Sequence, residues 1–175
     1  MSDELLKHHR DQIDAIDAEL LALLNRRANH AHKIGEIKGG GVVYRPEREA
    51  QVLRRIKALN QGPLANETVA RLFREVMSAC LALERPLTIA FLGPEGTFTQ
   101  AAAIKHFGHA AHLTACASID EVFRMVEAAN VDYAVVPVEN STEGAVGRTL
   151  DLLTQTPMSI CGEVVVRIHQ HLLRV

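Results

Sequence analysis

DELLKHHRDQIDAIDAELLALLNRRANHAHKIGEIK, residues 3–38, sets Ile13, Ile16, Leu20, Leu23, Leu24, Ala28, Ala31, Ile34 and Ile37 at steps of three and four, with no proline and no glycine before Gly35. That period specifies one long amphipathic helix. The run Gly39-Gly40-Gly41 ends it. Pro46 suits the first position of a second helix, where its missing N–H is an orphan in any case. Ala50, Val52, Leu53, Ile56 and Leu59 give that helix an apolar face until Asn60-Gln61-Gly62-Pro63. A third helix is expected from about Glu67 to Glu84 on Val69, Leu72, Phe73, Val76, Met77, Cys80 and Leu83, closed by Pro86. At 1.5 Å per residue the first helix is about 50 Å long, and three helices in about 85 residues cannot bury so extended an apolar stripe. An all-α N-terminal domain, residues 1–85, forming an intertwined helical dimer is therefore expected.

After Pro86 the period changes. Thr88 to Leu92 reads as a strand, followed by the turn Gly93-Pro94-Glu95-Gly96-Thr97 and a helix to about Phe107. His112 to Ala115 is a weak strand, and Ser118-Ile119-Asp120-Glu121 is a capping box that opens a helix to about Ala129. Tyr133 to Val136 reads as a strand, Glu139 to Gly147 as a loop, Thr149 to Gln155 as a helix, and Ser159 to Ile168, rich in Val and Ile, as a further strand. Such alternation is α/β with a mainly parallel sheet. Toward Val175 the sequence stays within an apolar segment with no polar tail or capping helix, so residues 87–175 are expected to be the first part of a larger α/β domain.

Composition excludes several classes. The 175 residues are 47% hydrophobic, 23% charged and 4% aromatic, which suits a globular protein and not a disordered or collagen-like one. No stretch approaches the roughly 18 apolar residues of a membrane span, and Met1 to Arg10 is too polar for a signal peptide, so a cytoplasmic protein is expected. Cys80, Cys116 and Cys161 are odd in number and in no metal-ligand spacing, which favours reduced thiols and no metal. Residues 1–85 hold 14 Lys+Arg against 12 Asp+Glu, and residues 86–175 hold 5 against 9. The basic excess is too small and too interleaved for a nucleic-acid surface. It suits a small anion. His8-His9, His30 and His32 do not share helix faces, and His169 and His171 lack a third ligand, so neither set reads as a metal site.

The notable cations of the helical half are Arg10, Arg27, Lys38 and Arg48. Arg27 and Lys38 are 11 positions apart, about 16 Å along a helix and about 20° around it, so both can lean toward one small anion. Arg10 is about 25 Å from Arg27 on the same helix and must act in the partner subunit if it acts at all.

These cations and the words around them, HRDQIDAID, LLNRR, IGEIK, YRPEREAQVL and SACLALE, resemble the all-helical class of chorismate mutase over nearly all of residues 5–85. The resemblance implies that Arg10 of the neighbouring chain and Arg27 bind the substrate's two carboxylates and that Arg48 reinforces them. It further implies that Lys38 and Glu84 donate to the ether oxygen, that Glu49 takes the ring hydroxyl, and that Cys80 joins the binding set. The sequence departs from some members in Glu84, where they carry Gln, and in Cys80, where they carry Ser. Arg45 also stands where an acidic residue can occur. The chemistry suits the residue types: conversion of chorismate to prephenate is intramolecular and needs a compact dianion and stabilisation of charge growing on an ether oxygen. No metal or cofactor is implied. An ionised Glu84 would only accept, so it must present a proton in order to help.

IAFLGPEGTFTQAA (89–102) and DYAVVPVENSTEGAVGRTLDLL (132–153) resemble the first lobe of prephenate dehydratase, and the order of the two units resembles the P-protein fusion family. Thr97, Glu139, Asn140, Ser141 and Thr142 are then expected to form half of a prephenate site, with Asn140, Ser141 and Thr142 before a helix start whose free N–H groups can receive a carboxylate. That family carries its acid catalyst in a Thr-Arg-Phe motif, which this sequence does not contain. Two other readings compete. One is a related helical lyase that removes pyruvate from isochorismate, against which the dehydratase-like lobe argues. The other is a non-catalytic helical dimerisation module, which would need no inward cations.

Overall fold

The computed structural model describes residues 2–39 and 44–169. Helix α1 runs Ser2–Lys38, and Gly39, with φ +59°, ends it in the left-handed conformation that glycine adopts without strain. Gly40 and Gly41 lie outside the described residues. Helix α2, Pro46–Leu59, begins at the proline as expected. Helix α3 runs Asn66–Ala82, two residues short of the sequence estimate, so Glu84 stands on the turn beyond it, its N–H bonded to the Leu81 carbonyl at 3.0 Å. The α2–α3 connection is closed by Asn60, whose amide donates to the Leu64 carbonyl at 2.8 Å and to Asn66 Oδ1 at 2.7 Å. Leu53 and Ala70 are buried residues of α2 and α3.

Helix α1 meets α3 through its C-terminal half. The Arg27 guanidinium reaches the Val76 carbonyl at 3.5 Å, and Gly35 lies against Glu84. No residue of α1 is buried, and Leu5, Ile13, Ile16, Leu20 and Ile34 are all at least half exposed. The stripe that defines the helix is thus left open along most of its length.

The second unit is α/β. Strands β1 (Thr88–Leu92), β2 (His112–Cys116) and β3 (Tyr133–Val135) form a parallel sheet in the order β2-β1-β3, with Ile89 opposite Leu113 on one side and Tyr133 on the other. Helix α4 (Phe98–Phe107) links β1 to β2, and α5 (Ile119–Glu127) links β2 to β3. The chain steps one way from β1 to β2 and back across β1 to β3. Right-handed crossovers then require the two helices to lie on opposite faces. They do: Ile89 packs with Ala103 and Phe107 of α4, and Ala90 with Val122 and Val126 of α5. Ser118 caps α5, accepting from the Glu121 N–H at 3.2 Å, while the Glu121 carboxylate reaches back to the Ala117 N–H at 2.7 Å.

Two expectations fail here. Residues 139–147 do not form a plain loop: Glu139–Asn140 (β4) and Gly144–Ala145 (β5) pair as a short antiparallel hairpin, and α6 begins directly at Gly147 and runs to Gln155. Residues 159–168 do not form a strand. Val and Ile composition supplies propensity, but a strand exists only with a backbone partner. No described strand pairs with this segment, which runs beside α4 with the Val165 carbonyl accepting from Lys105 Nζ at 2.6 Å. His171 lies outside the described residues.

The two units share a core. Tyr44, between α1 and α2, is 6% exposed and packs in one cluster with Leu87, Ile89, Ala103 and Phe107. Gly108, with φ +79°, ends α4 where a Cβ would come within 2.5 Å of the Ser78 Cβ, so α3 and α4 meet at a distance that excludes a side chain. Glu75 on α3 accepts from the His109 N–H at 3.1 Å and pairs with its ring at 3.0 Å.

Candidate active site

Between α1 and α2 lies a groove of about 450 Å³ lined by Arg27, Arg48, Gln51, Val52, Arg55, Ile56 and Leu59. Arg48, Arg55 and Leu59 recur along one face of α2, which turns an apolar stripe edged with two guanidinium groups toward Arg27. Three cations around a small concave surface form a receptor for a compact anion. Arg55 escaped the sequence reading, although its position seven residues after Arg48 puts it on the same face. Gln51 also escaped it.

Glu84, on the turn after α3, meets α1 nearer its C-terminus, outside the groove lining. A Cβ built on Gly35 would lie 2.6 Å from Glu84 Cδ and 2.7 Å from its Oε2, so the carboxylate rests on the bare α1 backbone. Lys38 is three residues on from Gly35, one turn along the same face. The lone glycine inside a helical pattern was the available signal for this approach. Lys38 is exposed at the end of α1 and is not part of the groove lining around Arg27 and Arg48. Arg10 is exposed on the open N-terminal half of α1. Cys80 is buried within α3 and also stands outside the groove lining.

Glu49 faces a different way from Arg48. Its Oε1 accepts from Arg74 Nε at 3.1 Å, and its charge lies near enough to the Tyr44 hydroxyl to act on it. Burial, followed by the Glu49 charge, holds the Tyr44 hydroxyl well above its usual range, so it keeps its proton. The Tyr44 oxygen also lies 3.3 Å from His106 Nε2 on α4. Burial chiefly pushes the His106 ring below its usual range, with Glu49 opposing and Arg74 adding to the effect.

In the α/β unit, the turn after β1 and the hairpin after β3 project from the carboxyl ends of neighbouring parallel strands. Strand order reverses there, which is where open α/β sheets bind ligands. Thr97 caps α4: its Oγ accepts from the Gln100 N–H at 3.3 Å and donates to the Leu92 carbonyl at 3.1 Å. That hydroxyl is already engaged in shaping the turn. Glu139, Asn140, Ser141 and Thr142 are exposed on the hairpin, and Asn140 Oδ1 accepts from the Thr142 N–H at 2.8 Å. They are not at a helix N-terminus as the sequence suggested, because the hairpin separates them from α6. Thr149 is fully buried and ties α6 to the end of β3 by donating to the Pro137 carbonyl at 2.7 Å. No described helix is long and apolar enough to cross a membrane.

Residues 9–85 match the family model of chorismate mutase type II, and residues 89–175 match that of prephenate dehydratase. A bifunctional chorismate mutase/prephenate dehydratase of Neisseria gonorrhoeae is 71% identical over 172 residues, which cover 98% of this chain and 48% of that protein. The protein of the same name from Pseudomonas aeruginosa is 60% identical, over 96% of this chain and 48% of its own length. That of Escherichia coli K12 is 33% identical, over 94% and 47%. The chain spans about half the length of the curated relatives it matches. With both family models matched in tandem, the chain belongs to the bifunctional family in which a type II chorismate mutase domain precedes prephenate dehydratase sequence.

Proposed function

We propose that the helical unit converts chorismate to prephenate within a homodimer, and that the α/β unit supplies the first lobe of a prephenate dehydratase, both in the service of phenylalanine synthesis in the cytoplasm. The observation that carries the first reading is the groove lined by Arg27 of α1 and by Arg48 and Arg55 of α2, with Glu84 seated on Gly35 one turn from Lys38. Chorismate is a dianion that must be held compactly before its bonds can exchange. Paired guanidinium groups hold carboxylates bidentately and prepay that entropy. As the ether C–O bond breaks, negative charge grows on its oxygen. Lys38, and Glu84 in its protonated form, stand where two donors could meet that charge. Glu49 would accept the ring hydroxyl with the lone pairs that Arg74 leaves open. Cys80, buried on α3, would act only through the packing behind the site.

The dimer follows from α1. Its open apolar stripe needs a cover, and a second copy of the same helix offers the matching surface. A second copy would also bring Arg10 of the partner subunit to a groove that has no Arg10 of its own. Mixed dimers test this: chains carrying Arg10→Ala and chains carrying Lys38→Ala, each inactive alone, should regain activity after subunit exchange, because one of the two sites then holds both residues. No recovery after verified exchange would refute the shared site.

For the α/β unit, Thr97 and the exposed Glu139, Asn140, Ser141 and Thr142 would line one side of a crevice that a second lobe must complete. Their placement at the strand-order reversal supports that reading. Prephenate binding to the 175-residue chain is expected to be weak and to leave phenylpyruvate formation at the uncatalysed rate.

A further inference from the structure

Arg48 and Glu49 are adjacent in the first turn of α2, so their side chains leave the helix about 100° apart. Arg48 lines the groove beside α1, while the Glu49 side chain is 16% exposed and turned to α3, where Arg74 Nε donates to it at 3.1 Å. A carboxylate so far out of water needs its lone pairs satisfied. Arg74 supplies such a partner. Tyr44 itself stands two residues before Pro46, with its ring buried against Leu87, Ile89, Ala103 and Phe107 and its oxygen 3.3 Å from His106 Nε2. The start of α2 is therefore fixed at two points, by a ring sunk in the core of the α/β unit and by an ion pair to α3. Two fixed points determine how a helix is rotated about its own axis. With Glu49 turned to α3, Arg48 is necessarily turned toward α1 and the groove.

We propose that Arg74 and Tyr44 are positioning residues for the mutase reaction: Arg74 by holding Glu49, and Tyr44 by its ring in the shared core and its hydroxyl against His106, set the rotation of α2 that presents Arg48 to the substrate, and the α/β unit is thereby part of the scaffold of the mutase site. The proposal rests on the function assigned above. A partly buried ion pair contributes little net stability, so the role of this one is directional.

Steady-state kinetics of the full chain with chorismate separates a directional role from a merely structural one. Arg48 holds a part of the substrate whose charge does not change during the reaction, so its misplacement weakens ground-state and transition-state binding alike and appears in KM. Arg74→Gln is expected to raise KM about tenfold with kcat within about twofold, and Arg74→Lys, which keeps the charge, to stay within about threefold of the parent KM. Tyr44→Phe keeps the buried ring and should raise KM about twofold to threefold, which decides the matter if Arg74→Gln does not fold. A purely stabilising role would lower the active fraction, and so kcat, at unchanged KM. That result, or the parent KM in every variant that folds, would overturn the positioning role while leaving the mutase reading intact. A parent chain that fails to convert chorismate would overturn both.

Discussion

Gly35→Ala isolates the contact between Glu84 and the long helix. In an exposed helix interior alanine is favoured over glycine by about 1 kcal/mol, so the substitution should hold or raise the thermal stability of α1. The added Cβ would nevertheless fall 2.6 Å from Glu84 Cδ. Ordinary carbon contacts need about 3.5–4.0 Å, so the carboxyl group must retreat by roughly 1 Å. Misplacing a group that meets the transition state by that much costs up to about 100-fold in rate. We therefore expect kcat for chorismate to fall about tenfold to 100-fold while KM stays within about threefold, because the lost contact forms only as charge develops. The assay is chorismate loss followed with chromatographic measurement of prephenate, alongside a melting curve. Glu84→Gln, an amide that always donates, should keep kcat within about threefold of the parent, and the double substitution Gly35→Ala/Glu84→Ala should be no slower than Glu84→Ala alone. A Gly35→Ala chain with the parent kcat, or a double variant in which the losses multiply, would refute a role for Gly35 acting through Glu84.

Other consequences concern the joint between the units and the groove. Burial alone would lift the Asp132 carboxyl, but the Thr88 backbone N–H at 2.9 Å, the Arg85 guanidinium and the Thr88 hydroxyl outweigh it and hold the group below the usual carboxylate range. A lowered folded-state pKa contributes stability that is complete above the unfolded value of about 3.9 and is lost as pH falls through the folded value. Acid unfolding of the parent should therefore be steeper below about pH 4 than that of Asp132→Asn, which at neutral pH should be less stable by about 1–2 kcal/mol; superimposable acid titrations would contradict this. Arg55→Ala should raise KM about fivefold if its charge helps to hold the dianion, and the effect should shrink in high salt; a salt-independent loss would point to packing instead. Phenylpyruvate release by the 175-residue chain above the uncatalysed rate would contradict the half-site reading of Thr97 and the 139–142 hairpin.

Much of this was legible in the sequence because the signals were local. The long 3.6-residue period of α1, the Pro46 start of α2 and the alternation after Pro86 each specify an element without help from distant residues. The capping serine of α5 was equally readable. What escaped depends on pairing across the fold. Ser159–Ile168 has strand composition but no described strand beside it, and the 139–145 hairpin is too short for any period to show. The seat of Glu84 on Gly35 joins residues 49 positions apart, and the Arg74–Glu49 pair joins α3 to α2. Charge type marked Arg27 and Arg48 as partners for an anion. Only the arrangement of the helices set Arg55 beside Arg27 in the groove and turned Glu49 toward Arg74 on α3.

The central claim is that the cationic groove and the Lys38–Glu84 end of α1 make a chorismate mutase. The most direct measurement is prephenate formation from chorismate by the purified chain beside its Arg27→Ala/Arg48→Ala variant, with folding of both checked by circular dichroism. The expected result is conversion by the parent far above the uncatalysed rate, and loss of at least about 100-fold in kcat/KM in the folded variant. A folded, dimeric parent that leaves chorismate unchanged, or a double variant as active as the parent, would contradict it.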